Sequence, residues 1–206
     1  MKVCVFDTET TGLYNFQLDH DDPRQPQIVE LGWLIGDDET GDIVASATHL
    51  VKLLPGVVMK PEVAAVHGLT EEVLAKDGRD LKDVLALFRK AVRTPGVKCL
   101  VAHNLAFDRK VIEANCARAR VPQDILAEKE HFCTMLRAKE QLGLEARPKL
   151  ADAYKAATGE DAPAGHRALI DVGMAWAVYL ALKKRREAPR AEPSVEGDAP
   201  AEPAAT

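Results

Sequence analysis

The pattern of hydrophobic and polar positions changes character along the chain. Short apolar runs bounded by turn residues, which are typical of strands, dominate its first part. Three of these runs are residues 2–7, 28–36 and 43–53, and two more follow at residues 97–104 and 131–134. Helical patterns and caps predict helices at residues 70–78, 80–92, 107–119, 134–143, about 148–158 and 167–186. This order predicts an α/β fold, with a mixed five-stranded sheet flanked by helices.

The composition changes near the end of the chain. Residues 187–206 are rich in Ala, Pro and Glu, and Val195 is their only large hydrophobic residue. Such a segment cannot bury enough apolar surface to fold, so we predict a disordered tail. Residues 1–186 are long enough for one domain with a substantial core.

Net charge limits the kind of partner that we expect. The chain carries a net charge of −5, of which residues 187–206 supply −4 and residues 1–186 only −1. Proteins that bind nucleic acid non-specifically have a strongly basic surface. Any nucleic acid bound by this protein is therefore expected to be held at a confined site.

Several features predict a cytoplasmic protein without membrane partners. No apolar run approaches the roughly 20 residues of a membrane span, and the first residues lack the apolar stretch of a signal peptide. The four cysteines are Cys4, Cys99, Cys116 and Cys133. Because they are scattered and form no CxxC pair, we expect reduced, mostly buried thiols rather than disulfides or a zinc site.

Two carboxylates follow the first apolar run, in the segment DTETTGL. Asp7 and Glu9 are two residues apart, so on a strand their side chains point to the same face and repel each other. No Lys or Arg stands beside them. One interpretation is a polar strand end that enters a turn. The other is a divalent cation site, since Mg²⁺ and Mn²⁺ prefer carboxylate oxygens.

Two further segments place polar residues where elements meet. In VAHNLAFD, His103, Asn104 and Asp108 lie at a strand-to-helix junction, where α/β proteins often bind ligands. The alternative for Asp108 is a charge in the first helical turn, which the helix dipole favours. In GHRALID, His166 precedes Asp171 by five residues. Asp171 stands among apolar residues of a predicted helix, which is unfavourable unless the carboxylate faces water, is paired or binds a metal.

Taken together, these segments resemble the DEDDh 3′–5′ exonuclease family, whose members include ribonuclease T, oligoribonuclease and the epsilon proofreading subunit of bacterial DNA polymerase III. The matching motifs are DxExTGL at residues 7–13, HNxxFD at residues 103–108 and HxxxxD at residues 166–171. The resemblance covers about residues 2–182. It implies a ribonuclease H-like fold for an exonuclease domain at residues 1–186.

The resemblance also implies a catalytic set. Asp7, Glu9, Asp108 and Asp171 would hold two Mg²⁺ or Mn²⁺ ions, and His166 would act as general base. The implied reaction is hydrolysis at single-stranded or frayed 3′ ends, with DNA preferred, to release nucleoside 5′-monophosphates. An exoribonuclease, a dinucleotide phosphodiesterase and a non-catalytic binding module are the alternatives.

Candidate substrate contacts follow from the same motifs. Thr10, Gly12 and Leu13 match positions that approach the terminal nucleotide. His103 and Asn104 contact substrate or hold the turn, and Phe107 stacks on a base or, as we favour, packs in the core. Expected partners are single-stranded 3′ ends, with a polymerase or repair complex as a further candidate and the oligomeric state open. Residues 14–27 are longer and more acidic than the usual connection after the first motif, and His67 is a candidate for ordering a loop beside the site.

Overall fold

The computed structural model describes residues 1–187, which form one five-stranded sheet flanked by helices. The strands are β1 (Lys2–Thr10), β2 (Ile28–Asp37), β3 (Ile43–Leu50), β4 (Val97–Ala102) and β5 (Glu130–Cys133). The helices are α1 (Pro61–His67), α2 (Glu71–Asp77), α3 (Leu81–Val92), α4 (Leu105–Ala119), α5 (Thr134–Gln141), α6 (Leu150–Thr158) and α7 (Ala168–Glu187). A 3₁₀ turn at Asp124–Leu126 precedes β5.

The sheet is mixed, as the sequence predicts. Its strand order is β3-β2-β1-β4-β5, with β1 at the centre. β1 pairs antiparallel with β2 and parallel with β4, and β4 pairs parallel with β5. β1 and β4 therefore end at the same edge of the sheet, which brings the residues that follow them close together.

The two faces of β1 contact different helices. Val5 belongs to the apolar cluster that includes Trp176 of α7. Phe6 points to the opposite face, where its ring lies 5.2 Å from that of Phe88 of α3. Because side chains alternate along a strand, residues 7 and 9 continue the face that α7 covers, whereas residue 8 faces the layer of α3 and α4.

Element boundaries differ from the prediction at the positions that matter most. β1 continues to Thr10, which pairs with Ile28, so Asp7 and Glu9 lie inside the strand and not beyond its end. Helix α1 was not predicted, since its seven residues carry too little periodicity to identify. Helix α4 begins at Leu105, directly after Asn104, which adopts a left-handed conformation with φ of 64°.

The long connection at residues 14–27 is anchored to the body of the protein. The Gln25 side chain accepts a hydrogen bond from the Asn15 backbone N–H at 3.0 Å and donates to the Asn15 carbonyl at 2.8 Å. Arg118 of α4 donates to the Gln25 carbonyl at 2.6 Å and to the Pro23 carbonyl at 3.1 Å. The acidic side chains Asp19 and Asp21 of this segment point to solvent.

Three other expectations concern membrane spans, the cysteines and the tail. Within residues 1–187, no helix is long and apolar enough to cross a membrane. All four cysteines are free, and Cys4, Cys99 and Cys116 are buried. The predicted disordered tail lies outside the described residues, apart from residue 187, where α7 ends.

Candidate active site at the end of β1

Three carboxylates meet on the α7 face of the sheet. Asp7 and Glu9 project from β1, and Asp171 projects from the first turn of α7. One carboxylate oxygen of each residue lies within 4.8 Å of the others. Asp7 and Glu9 are half-buried and Asp171 is 8% exposed, so the group forms a shielded but accessible cluster.

A glycine allows α7 to approach this closely. Gly32 of β2 lies directly opposite Asp7 in the strand ladder. A Cβ atom on Gly32 would stand 2.8 Å from the carbonyl carbon of Ala168, the first residue of α7. Any larger residue at this position would push the start of α7, and Asp171 with it, away from β1.

Asp108 enters the site from the other layer. It lies in the first turn of α4 and is 2% exposed. Its Oδ1 atom accepts hydrogen bonds from the Thr8 backbone N–H at 3.1 Å and from the Thr8 hydroxyl at 2.8 Å. Asp108 therefore lies outside the group formed by Asp7, Glu9 and Asp171. It is still close enough to Asp7 for its charge to raise the pKa of Asp7.

Burial and mutual repulsion favour protonated carboxyls. Burial raises the pKa of Asp7 well above its usual value, and the charges of Asp108 and Asp171 add to this effect. Burial likewise raises the pKa of Glu9 to about 7, with a further contribution from Asp171. Repulsion of this kind is relieved by a proton or by a bound cation.

The other two acids show the same tendency against opposing contacts. Burial raises the pKa of Asp108 to about 7, although the hydrogen bonds from Thr8 act in the other direction. Burial raises the pKa of Asp171 to about 6, and the nearby His166 acts against the increase. The two pKa values therefore place their ionisation close to neutral pH.

The donor set fits a hard divalent cation. Within residues 1–187, no Lys, Arg or His forms an ion pair within 4 Å of Asp7, Glu9 or Asp171. Clustered carboxylate oxygens are the ligands that Mg²⁺ and Mn²⁺ prefer. Of the two interpretations of the first motif, the cation site agrees better with this geometry than a solvated strand end.

His166 lies near Asp171. It belongs to the irregular segment between α6 and α7, two residues before the first residue of α7, and its side chain is exposed. Gly165 before it has φ of +102°, a conformation that favours glycine. The histidine is thus accessible from solvent and close enough to Asp171 to influence its pKa.

The structure distinguishes among the residues of the second motif. Both ring nitrogens of His103 contact protein atoms, the Thr134 hydroxyl at 3.0 Å and the Pro148 carbonyl at 3.1 Å. Asn104 is exposed, and its left-handed backbone forms the turn into α4. Phe107 is partly buried and packs against the core. These contacts favour roles in holding the turn for His103 and in core packing for Phe107.

The segment after β1 presents apolar side chains to solvent. The Thr10 hydroxyl donates a 2.6 Å hydrogen bond to the Gly12 carbonyl, which orders the turn. Leu13 is 87% exposed, and Phe16, which the sequence did not suggest, is 72% exposed.

His67 at the end of α1 is buried and accepts a hydrogen bond from the Leu69 N–H at 3.1 Å.

Glu30 and Arg167 are the site residues that sequence reasoning missed. Glu30 stands directly opposite Glu9 in the ladder between β1 and β2, is 1% exposed, and binds the Arg167 guanidinium at 2.7 Å. The available signal was an acid inside the apolar run IVELG, which requires a buried partner. The partner is 137 positions away, so local spacing does not reveal it.

Comparison with known proteins identifies the family. Residues 4–179 match the RNase T family, which is described as exonuclease. The chain belongs to this exonuclease family. This match confirms the resemblance seen in the motifs. It also confirms, at the level of the family, the prediction of an exonuclease. No curated protein matches the chain by sequence.

Solved structures confirm the ribonuclease H-like fold. Escherichia coli Exonuclease I in complex with a dT13 oligonucleotide is 17% identical, with a TM-score of 0.74 over 90% of this chain and 42% of that chain. A moderately thermophilic Exonuclease I from Methylocaldum szegediense is 21% identical, with a TM-score of 0.71 over 90% of this chain and 41% of that chain. The chain thus spans about two fifths of the length of these proteins.

Proposed function

We propose that this chain is a divalent-metal-dependent 3′–5′ exonuclease that hydrolyses the terminal phosphodiester bond of single-stranded or frayed 3′ ends. We propose DNA as the preferred substrate and nucleoside 5′-monophosphates as the products. The observation that carries the proposal is the group formed by Asp7, Glu9 and Asp171, whose oxygens lie within 4.8 Å of one another. Within residues 1–187, no Lys, Arg or His forms an ion pair with any of the three. Family membership over residues 4–179 supports the exonuclease class.

The carboxylates have a binding role in this proposal. Asp7, Glu9 and Asp171, with Asp108 reaching in from α4, would hold two Mg²⁺ or Mn²⁺ ions. Such ions, when bound, acidify a water and stabilise the charge that develops on the phosphate and on the leaving oxygen. Thr8 would keep one oxygen of Asp108 engaged, so that the other is directed to the site.

His166 would supply the proton transfer. Its imidazole is exposed and lies near Asp171, and a nitrogen of the ring would accept a proton from the attacking water. The water oxygen then forms a bond to phosphorus while the bond from phosphorus to the 3′ oxygen of the preceding nucleotide breaks, and that oxygen takes up a proton from solvent. The phosphate leaves with the terminal nucleoside as a 5′-monophosphate.

The turn after β1 would receive the terminal nucleotide. Gly12 has open space around its Cα atom, which permits close approach of a sugar or base. Leu13, exposed beside it, offers an apolar face for a base. A local site of this kind agrees with the net charge of −1 of residues 1–186, which gives no general affinity for the nucleic acid backbone.

The choice of DNA is supported by structures of a similar protein. The similar Exonuclease I of Escherichia coli was crystallised with dT13, and a zinc-bound form of its complex with single-stranded DNA is also known. Those observations concern that protein. We extend them here to propose single-stranded DNA ends as the partner of a domain at residues 1–186. The free cysteines agree with an enzyme of the reducing cytoplasm.

The decisive experiment follows digestion of matched single strands. 5′-labelled DNA and RNA of the same sequence, and a labelled dinucleotide, are incubated with the full chain and Mg²⁺, Mn²⁺ or EDTA. We expect a ladder that shortens from the 3′ end, that requires metal, and that forms faster on DNA. The Asp7→Ala variant should form no ladder, whereas Asp77→Ala, an exposed position at the end of α2, should behave as wild type.

Each other outcome contradicts a defined part of the proposal. Faster digestion of RNA would replace DNA by RNA as substrate. Cleavage of the dinucleotide alone would indicate a phosphodiesterase for very short substrates. Metal-independent binding of single strands without any cleavage would indicate a binding module.

A further inference from the structure

Glu30 creates an electrostatic conflict beside the site. It stands directly opposite Glu9 in the antiparallel ladder, and like charges at opposed positions destabilise a sheet. Its side chain is 1% exposed, so water does not screen the repulsion. The Glu30 charge also contributes to the raised pKa values of Glu9 and Asp171. A buried acid that makes the metal-binding face more negative requires a compensating contact.

Arg167 supplies that contact through its Nε and Nη2 atoms. Its Nη2 donates to Glu30 Oε1 at 2.7 Å, and its Nε lies 3.0 Å from Oε2 and 3.2 Å from Oε1. The Ala168 backbone N–H donates to Oε2 at 3.1 Å, and the Thr48 hydroxyl donates to Oε1 at 3.1 Å. Both oxygens of Glu30 are therefore occupied. Two-point contacts of this type fix direction as well as distance.

The position of Arg167 in the chain gives this contact its significance. Arg167 follows His166 directly and precedes α7, whose first turn carries Asp171. The residues before it, from position 159 to 166, are irregular, and Gly165 has a positive φ. The contact with Glu30 thus fixes the end of an irregular segment at the residue next to the histidine.

We propose that Glu30 and Arg167 form a positioning pair that holds His166 in register with the carboxylate cluster. This inference rests on the proposed function, in which His166 accepts the proton of the attacking water. We assign Arg167 a positioning role, because both its Nε and its Nη2 are directed at Glu30. Glu30 is not a metal ligand in this proposal, because both of its oxygens already accept hydrogen bonds.

The first test is a kinetic one. Arg167→Gln should lower kcat by about 10- to 100-fold and leave KM nearly unchanged, because a misplaced base slows the chemical step but not substrate binding. In the His166→Ala background, the same substitution should have little further effect, since residues that act through one group are not additive. Arg137→Gln, which breaks an exposed Arg–Glu pair on α5, is the matched control and should leave both parameters unchanged.

Two results of this test would overturn the positioning role. A rise in KM with kcat unchanged would show that Arg167 binds the substrate phosphate. A full additional loss in the His166→Ala background would show that Arg167 acts on something other than the histidine.

The second test needs no activity. Hydrogen–deuterium exchange of the full chain should be faster at residues 160–170 in Arg167→Gln than in wild type or Arg137→Gln, because the contact that fixes this segment is lost. Unchanged exchange would contradict the proposal even if activity fell. Because Arg167→Gln leaves Glu30 buried without its partner, the double variant Glu30→Gln/Arg167→Gln, which removes both charges, is measured beside it. This double variant should have the same Tm as wild type and should still show the lower kcat.

The two tests separate this inference from the proposed function. A wild-type protein without nuclease activity, together with faster exchange in Arg167→Gln, would reject the exonuclease and retain the contact. An active wild type that loses activity in His166→Ala but not in Arg167→Gln would retain the exonuclease and reject the positioning pair.

Discussion

Thr8 binds Asp108 through both its backbone N–H and its hydroxyl, and both donate to the same carboxylate oxygen, at 3.1 and 2.8 Å. The two residues are 100 positions apart and come from β1 and α4. The contact links the layer of α4 to the strand that carries Asp7 and Glu9. In the proposed function, the second oxygen of Asp108 is then the one directed to a cation.

Replacing the hydroxyl should therefore weaken metal-dependent activity. Thr8→Val keeps the β-branched shape and the backbone hydrogen bond but removes the side-chain donor. Loss of a group that orients a metal ligand typically lowers metal affinity or activity by about 10- to 100-fold, and we expect an effect of this size in a Mg²⁺ titration of the nuclease rate. Thr158→Val, at the exposed end of α6, should leave the titration unchanged, and equal curves for both variants would contradict the role of Thr8.

The raised pKa values predict how stability depends on pH. Glu9 and Asp108 have pKa values of about 7 and Asp171 of about 6, all above those of the unfolded chain. In the range from about pH 4 to about pH 7 the folded state binds more protons, so the stability that these groups contribute is complete below this range and is lost as pH rises through it.

A divalent cation should reverse this loss, because it replaces the protons on the same oxygens. We expect the increase in Tm produced by Mg²⁺, relative to EDTA, to grow between about pH 5 and about pH 8. Thermal unfolding of the full chain in matched buffers measures it. An increase that is independent of pH would show that the cation binds elsewhere.

Asp7 should contribute unfavourably to stability in the absence of metal. Its carboxyl is half-buried among acids, and its pKa is raised well above the usual value. Asp7→Asn removes this charge with little change of shape, so in EDTA near pH 8 we expect a Tm higher by several degrees, at about 2–4 °C per kcal/mol for a chain of this size. The same variant should lose activity. Asp77→Asn is the matched surface control. If the Tm of Asp7→Asn were no higher than that of Asp77→Asn, the predicted repulsion at Asp7 would be contradicted.

Leu13 should affect substrate binding more than chemistry. It is 87% exposed in the turn after the first motif. If its side chain contacts the terminal base, Leu13→Ala raises KM for a single strand several-fold and changes kcat less. Stacking of a base on an aromatic ring is worth about 1–3 kcal/mol, and the aliphatic Leu side chain offers less than this. Val58→Ala removes an apolar side chain that is 75% exposed outside the site and serves as the control. Equal KM values for the two variants would exclude the contact.

Much of the fold and part of the site follow from local patterns. The five strands and six of the helices were predictable because their periodicity and caps are encoded within short windows. Helix α1, with seven residues, has too short a pattern, and the end of β1 was missed because its last residues are polar. Polar residues extend this strand because they pair with β2 as far as Ile28, which no local pattern shows.

The sequence alone determined which acids and which histidine are available, since the three motifs are short, ordered and each complete within a few residues. Only the tertiary structure decided how they are arranged. Because side chains alternate along β1, Asp7 and Glu9 face α7, where Asp171 lies close to them. Thr8 faces α4 and binds Asp108. The register of β1 with β2 sets Glu30 opposite Glu9, and the close approach of α7 over Gly32 brings in Arg167. Most of these relationships join residues 100 or more positions apart, so strand order and packing, not local spacing, determine which side chains meet.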